Sequence, residues 1–228
     1  DIPRCHQYSQ LLSSTDGHEK LLRILKSWAV EHTPKGMIYW QGIDSLCATL
    51  LSITSSDEPL VFACLEKIVD DYVPHFFSEH PMDHRLHVFN HWLAYFDPEL
   101  AEHFTELQIR PELFGVPWFL TLFAHVLPLK RIYPLWDAMI LSRSRNFPCA
   151  VAVSIVIELR QQLLTSDFSG CITLLSNAHM MQNLPVHSIV RPARGIFARL
   201  PPSLANPDIS SARGALIKTS VCSMIEAA

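Results

Sequence analysis

The chain has 228 residues, enough for one large domain or two small lobes. With 49% apolar residues it is not disordered throughout, and a chain this size buries about 70% of its unfolded surface. Eighteen basic residues against 22 acidic ones give a net charge of −4; this offers no support for a broad nucleic-acid-binding face, while leaving room for a local basic patch.

Seven glycines against 16 prolines make a glycine-rich nucleotide cradle hard to build. The six cysteines, Cys5, Cys47, Cys64, Cys149, Cys171 and Cys222, are widely spaced, with no C-x-x-C pair. They suggest neither a zinc ribbon nor a small disulfide scaffold, and most read as small core residues. A reducing, cytoplasmic setting is the default expectation. No N-x-[ST] acceptor occurs, and no uncharged apolar run reaches the 18 or more residues of a membrane span. A start at Asp1 rather than Met leads us to expect a piece of a longer protein, so the lack of a leader carries no weight.

The dominant periodicity is helical. Leu21, Leu22, Leu25, Trp28 and Ala29 form one apolar stripe, with a capping region at Thr15-Asp16-Gly17 and Ser13 or Ser14 as competing caps. A second helix runs from about Asp44 to Ile53. Asp57-Glu58-Pro59 then supplies a cap, early acids and a first-turn proline for a third, which points Val61, Leu65, Ile68 and Val69 inward. Leu86–Phe96 forms another, and Asp97-Pro98 can start the next. Pro117–Val126 and Leu129–Ser142 are two more. Cys149–Leu164 contains the β-branched run Val151–Ile157, which alone would suit a buried strand, but its length favours a buried helix. The one Asp-Gly pair, Asp16-Gly17, has helical patterns on both sides. The fold class expected is all-α. Leu200–Ala228 is rich in Pro, Ser and Ala and reads as a tail, with a possible short helix at Leu216–Ile225.

No G-x-x-x-x-G-K-[ST], G-x-G-x-x-G, G-x-S-x-G or H-E-x-x-H motif occurs. Histidine is concentrated at His75, His80, His84, His87 and His91. His84, His87 and His91 fall at i, i+3, i+7 and share a helix face beside Asp83. The sharp reading is a zinc or iron site, and the bland one, which we favour, is a polar helix surface. No metal is therefore expected. Trp118, Phe119, Phe123, Tyr133 and Trp136 read mainly as core.

Two segments stand out: Asp1-Ile2-Pro3-Arg4 and Tyr39-Trp40-Gln41-Gly42-Ile43-Asp44. Read alone, the first is an i, i+3 ion pair at a terminus and the second the start of a helix. Together they resemble the motif pair of the TBC domain, the Rab GTPase-activating family. Asp1 and Arg4 match the second half of I-x-x-D-x-x-R. Tyr39 and Gln41 match Y-x-Q-x-x-[NS], from which Asp44 departs at the last position. Pro117-Trp118-Phe119, Phe123, Pro128 and Leu135-Trp136-Asp137 resemble a further family stretch. The likeness runs from Asp1 to about Phe197.

The resemblance implies a two-lobed all-α domain over 1–197, divided near residues 115 and 116, with 198–228 outside it. It implies a GTPase activator with no independent active site: Arg4 as an arginine finger and Gln41 as a glutamine finger, both supplied in trans to a Rab in its GTP state. Asp1 would orient Arg4, and Tyr39, Trp40, Gly42 and Asp44 would support the site or face the partner. We expect Gly42 to permit close approach of the partner loop and Asp44 to act as a cap. Trp136 and Asp137 read as structural. No cofactor of its own is implied, since the partner carries GTP and Mg²⁺. We expect no nucleic acid, no direct membrane insertion, and recruitment to membranes in vesicle trafficking through the Rab. The alternative is a catalytically weak Rab-binding scaffold or effector module.

Overall fold

Short polar residues set where several of the helices begin. In the computed structural model, which describes residues 5–6, 9–35, 39–73, 81–176 and 185–205, Ser14 caps α1 (Thr15–His32) by accepting from the Gly17 amide at 3.0 Å. Asp16-Gly17 therefore lies in the first turn of a helix rather than in a hairpin. A short 3-10 turn (Thr33–Lys35) follows α1, and α2 spans Ile43–Ile53. Asp57 caps α3 (Glu58–Tyr72) through the Leu60 amide at 2.9 Å, with Pro59 in the first turn. α4 spans Pro81–Phe96. Asp97 caps α5 (Pro98–Glu106) through Leu100 at 3.1 Å. Each such cap satisfies a first-turn amide that the helix cannot, worth about 1 kcal/mol.

The chain continues through α6 (Glu112–Leu120), α7 (Leu129–Ser142), α8 (Phe147–Glu158), α9 (Arg160–Leu164), α10 (Phe168–Ser176), α11 (Val186–Ala198) and α12 (Pro202–Ala205). Among the described residues there is no strand. The expected all-α class is what is observed.

One expected helix is displaced. Pro117 does not open a helix over 117–126; it lies inside α6, and Thr121–Leu127 is a series of turns. The reason is local geometry: Leu122 and Phe123 both take left-handed backbone angles, φ 47° and 67°, which a right-handed helix excludes. The turn is held from outside. Trp136 Nε1 donates to the Leu122 carbonyl at 3.0 Å, and the Phe123 amide donates to the Trp118 carbonyl at 2.8 Å.

α8 is buried from Phe147 to Val156, with α4, α6, α7, α9 and α11 packed round it. Being apolar on all sides, it fits only a central position. Its β-branched run is a helix because the burial continues for three turns, and Leu159 breaks it from α9. α1, α2 and α3 pack on one another, and α2 is buried from Ile43 to Leu51. Trp28, Trp92 and Trp118 are fully enclosed. Arg160 ties α9 to the start of α5 by bonding Asp97 Oδ2 at 2.8 Å and Glu99.

The chain past Phe197, assigned above to a tail, is still packed at Leu200 and Leu204, and Trp92 Nε1 donates to the Leu204 carbonyl at 2.9 Å. Residues 216–225 lie outside the described residues. No helix among the described residues is long and apolar enough to cross a membrane.

Candidate functional site

Tyr39–Gly42 forms the turn that leads into α2. Its geometry depends on glycine. Gly42 has φ +110°, where a side chain is strained, and a Cβ there would lie 2.6 Å from the Thr121 methyl. Within its own chain, the close approach that Gly42 permits is to Thr121. Asp44, the second residue of α2, is buried, and its Oδ1 accepts from the Gly42 amide at 3.0 Å. A carboxylate in the first helical turn also suits the helix dipole. The carboxylate is therefore turned back into the loop from inside the helix; the N-cap position expected of it is held by Gly42, with no side-chain cap bond.

Trp40 is half-buried and meets Trp28 edge to face, with ring centroids 5.5 Å apart; Trp28 in turn stacks on His32 at 4.3 Å. Gln41, between Trp40 and Gly42, is exposed. Tyr39 is partly exposed, and burial, then the Asp44 charge, raise its phenol above the ordinary range.

Asp1 and Arg4 lie outside the described residues. Cys5, next to Arg4 in sequence, is buried beside the same helix start. Its thiol donates to Ser45 Oγ at 3.8 Å. Burial, then the Asp44 charge, push that thiol up to about 12, so it stays protonated. Ser45 Oγ also lies 3.4 Å from His125 Nδ1, and the His125 amide donates to Thr121 Oγ1 at 3.3 Å. His6, held at φ 49°, is kept neutral by burial and then by His125, which lower it to about 4. Cys5 and Ser45, each directly following one of the two segments singled out in the sequence, are thus in contact. The anchors Cys5, Ser45, Thr121 and His125 were not found in the sequence. Their contacts join positions 40 and 80 apart, and no local pattern signals such pairs.

The arrangement offers a neutral, exposed amide on a turn fixed from beneath. Such a group can donate to and accept from a water or a partner's polar atom. Elsewhere, His87 and His91 lie with ring centroids 4.0 Å apart, and His91 Nδ1 is 2.9 Å from the His87 carbonyl oxygen. Among the described residues no three metal-binding side chains converge. Trp136 is buried and Asp137 exposed.

The family model described as the Rab-GTPase-TBC domain matches residues 1–164. The TBC domain-containing protein kinase-like proteins of Mus musculus and Homo sapiens are each 41% identical over 206 residues, covering 89% of this chain and 22% of theirs. That of Dictyostelium discoideum is 38% identical, over 88% of this chain and 19% of its own. The wording of Asp1–Tyr8 and Tyr39–Gly42 agrees with this likeness. The chain spans only about a fifth of the length of these relatives. Among solved structures, the Ypt/Rab-GAP domain of Gyp1p superposes with a TM-score of 0.74 at 21% identity, covering 87% of this chain and 70% of that one. The Chlamydomonas flagellar RabGAP TBC domain gives 0.66 at 20% identity, over 81% and 61%. These two likenesses concern the fold.

Proposed function

This chain belongs to the Rab-GTPase-TBC domain family, and we propose that it accelerates GTP hydrolysis by a Rab-family small GTPase, with Arg4 and Gln41 supplied in trans. The observation that carries the reading is the contrast within four residues: Gln41 is exposed while Trp40, Gly42 and Asp44 around it are packed or buried. An exposed side chain whose backbone is fixed by packed neighbours is presented from a defined place before a partner arrives, which favours electrostatic and positional catalysis.

Hydrolysis spreads negative charge over the transferring phosphoryl group. An arginine supplied in trans is worth ~10³–10⁵ in rate, or about 4–7 kcal/mol. Its planar, permanently charged fork suits phosphate oxygens. In this reading Arg4 is that group, oriented by Asp1, and the Gln41 amide orients the attacking water. Tyr39 and Trp40 frame the turn. Asp44 keeps its charge on the Gly42 amide and away from the phosphates. The partner brings GTP and Mg²⁺, and the chain turns over nothing by itself. It works wherever the Rab sits on its membrane.

The test is phosphate release from a panel of GTP-loaded Rabs, with wild type, Arg4→Ala and Gln41→Ala in parallel. Stimulation of one or a few Rabs, lost in both variants, is the expected result. Tight Rab–GTP binding with no faster hydrolysis would replace the reading with a binding-only module.

A further inference from the structure

The charge of this chain is divided along its length. Residues 1–128 hold eight Lys/Arg against 17 Asp/Glu, net −9, whereas residues 129–205 hold eight against three, net +5. In the acidic part Lys20 pairs with Asp16, Arg23 with Glu58 and Lys67 with Asp71, while Lys26 and Arg110 have no such pair among the described residues. In the basic part Arg160 is paired with Asp97 and Glu99. Lys130, Arg143, Arg145, Arg191 and Arg194 are not: among the described residues no carboxylate is within ion-pair distance of any of them.

All five are exposed. His187, Arg191 and Arg194 recur at i, i+4, i+7 on one exposed row of α11. With Val190 and with Pro134 of α7 they line an open groove of about 490 Å³. On α7, Lys130, Pro134, Asp137 and Leu141 follow the same spacing, so the row beside the groove runs on to Leu141. Leu141 is 72% exposed and Ile140 51% exposed. Arg143 and Arg145, also exposed, come directly after them. Asp137 is the opposing charge on that row.

We propose that the α7–α11 face adsorbs onto an anionic lipid surface, with its arginines among the headgroups and Leu141 at the boundary of the acyl region. Charge complementarity selects an anionic occupant. A membrane fits better than an acidic peptide because exposed aliphatics rimmed by cations match the layered chemistry of that boundary. The contact is peripheral, with no spanning segment, and it adds to recruitment through a GTPase. The acidic part of the domain is repelled by the same surface, so the charge division orients the molecule as well as attracting it.

The test uses the 228-residue chain with no GTPase present, sedimented with vesicles of phosphatidylcholine alone or of phosphatidylcholine with phosphatidylserine. The expected partition coefficient is at least tenfold higher on the anionic vesicles, and it falls as salt shortens the range of the attraction. Arg191→Glu with Arg194→Glu should remove at least tenfold of it, and Leu141→Ala a few-fold. Lys26→Glu with Lys67→Glu makes the same change in net charge on the acidic part and should leave binding within twofold. If the double glutamate variant fails to fold by circular dichroism, Arg191→Gln with Arg194→Gln serves in its place. Equal binding to both vesicles would overturn the proposal, as would equal loss in both charge-reversed pairs. Retention on polyglutamate without retention on vesicles would assign the face to an acidic protein and overturn it too. Stimulated hydrolysis of a soluble GTPase should be unchanged in all these variants, so this proposal and the GTPase-activating reading fail separately.

Discussion

The Tyr39–Asp44 turn and the histidine row of α4 both stand out in the sequence, but the structure treats them differently. In the turn a single exposed polar residue, Gln41, is held by neighbours that are each fixed: Trp40 on Trp28, Gly42 against Thr121, Asp44 on the Gly42 amide. On α4, His84 and His91 are exposed, and the row is joined mainly to itself through the His87–His91 pair. Burial, then Arg85, lowers His84; burial, then its histidine neighbours, lowers His87. Both shifts favour the neutral ring at those two positions. A concentration of reactive side chain types is thus a weaker pointer to a site than one ordinary amide whose surroundings are immobile.

The comparison can be broken most readily at Gly42. Gly42→Val should lower stimulated GTP hydrolysis about 100-fold or more and cost about 2–4 kcal/mol of stability, since strain at positive φ adds to overpacking. Gly42→Ala with Thr121→Ser should recover the steric part only, because the serine removes the methyl 2.6 Å away and leaves the φ unchanged. Thermal unfolding of Gly42→Val, Gly42→Ala, and Gly42→Ala with Thr121→Ser separates the terms. If Gly42→Val kept full activity and stability, the turn would not be fixed as described.

Acid comes next. His6 is lowered from 6.5 to about 4 in the fold, so between these values the unfolded chain binds the proton and the fold does not. Stability therefore falls as pH drops from about 6.5 to 4, by about 2–3 kcal/mol at the lower end. Chemical denaturation across that range should show the slope, and His6→Gln should flatten it. A smaller effect is expected at Asp44. Asp44→Ala leaves the Gly42 amide without its acceptor and should cost about 1–3 kcal/mol, whereas Asp44→Asn keeps an acceptor oxygen and should recover most of it. The smallest effect belongs to the other half of the comparison: His87→Ala with His91→Ala should change stability by less than about 0.5 kcal/mol and leave stimulated hydrolysis unaltered.

Much of the fold could be read from local signals. Asp57 and Asp97 are recognisable caps because a short acid before Pro sits at the start of an apolar repeat. α8 is recognisable as a helix by its length, despite its β-branched residues. The break at Leu122–Phe123 could not be read, since nothing in those two residues favours left-handed backbone angles; the Trp136 hydrogen bond that holds the turn comes from 14 positions away. The site divides in the same way. Gln41 and Gly42 are conspicuous by their order, whereas the bond from the Gly42 amide back to Asp44, inside the helix and not at its cap, is not legible in the sequence. The mooring by Cys5, Ser45, Thr121 and His125 was invisible, because each contact is a product of the tertiary fold.

The central claim is that Gln41 acts chemically while its neighbours only hold it. The most direct measurement is single-turnover GTP hydrolysis by a stimulated Rab with Gln41→Ala, taken with Rab–GTP affinity and Tm on the same preparation. The account predicts a loss of about 100-fold or more in stimulated rate, with Tm unchanged, as expected for an exposed side chain, and affinity within a few-fold of wild type. A rate equal to wild type would contradict it, and so would a rate that falls only in step with Tm.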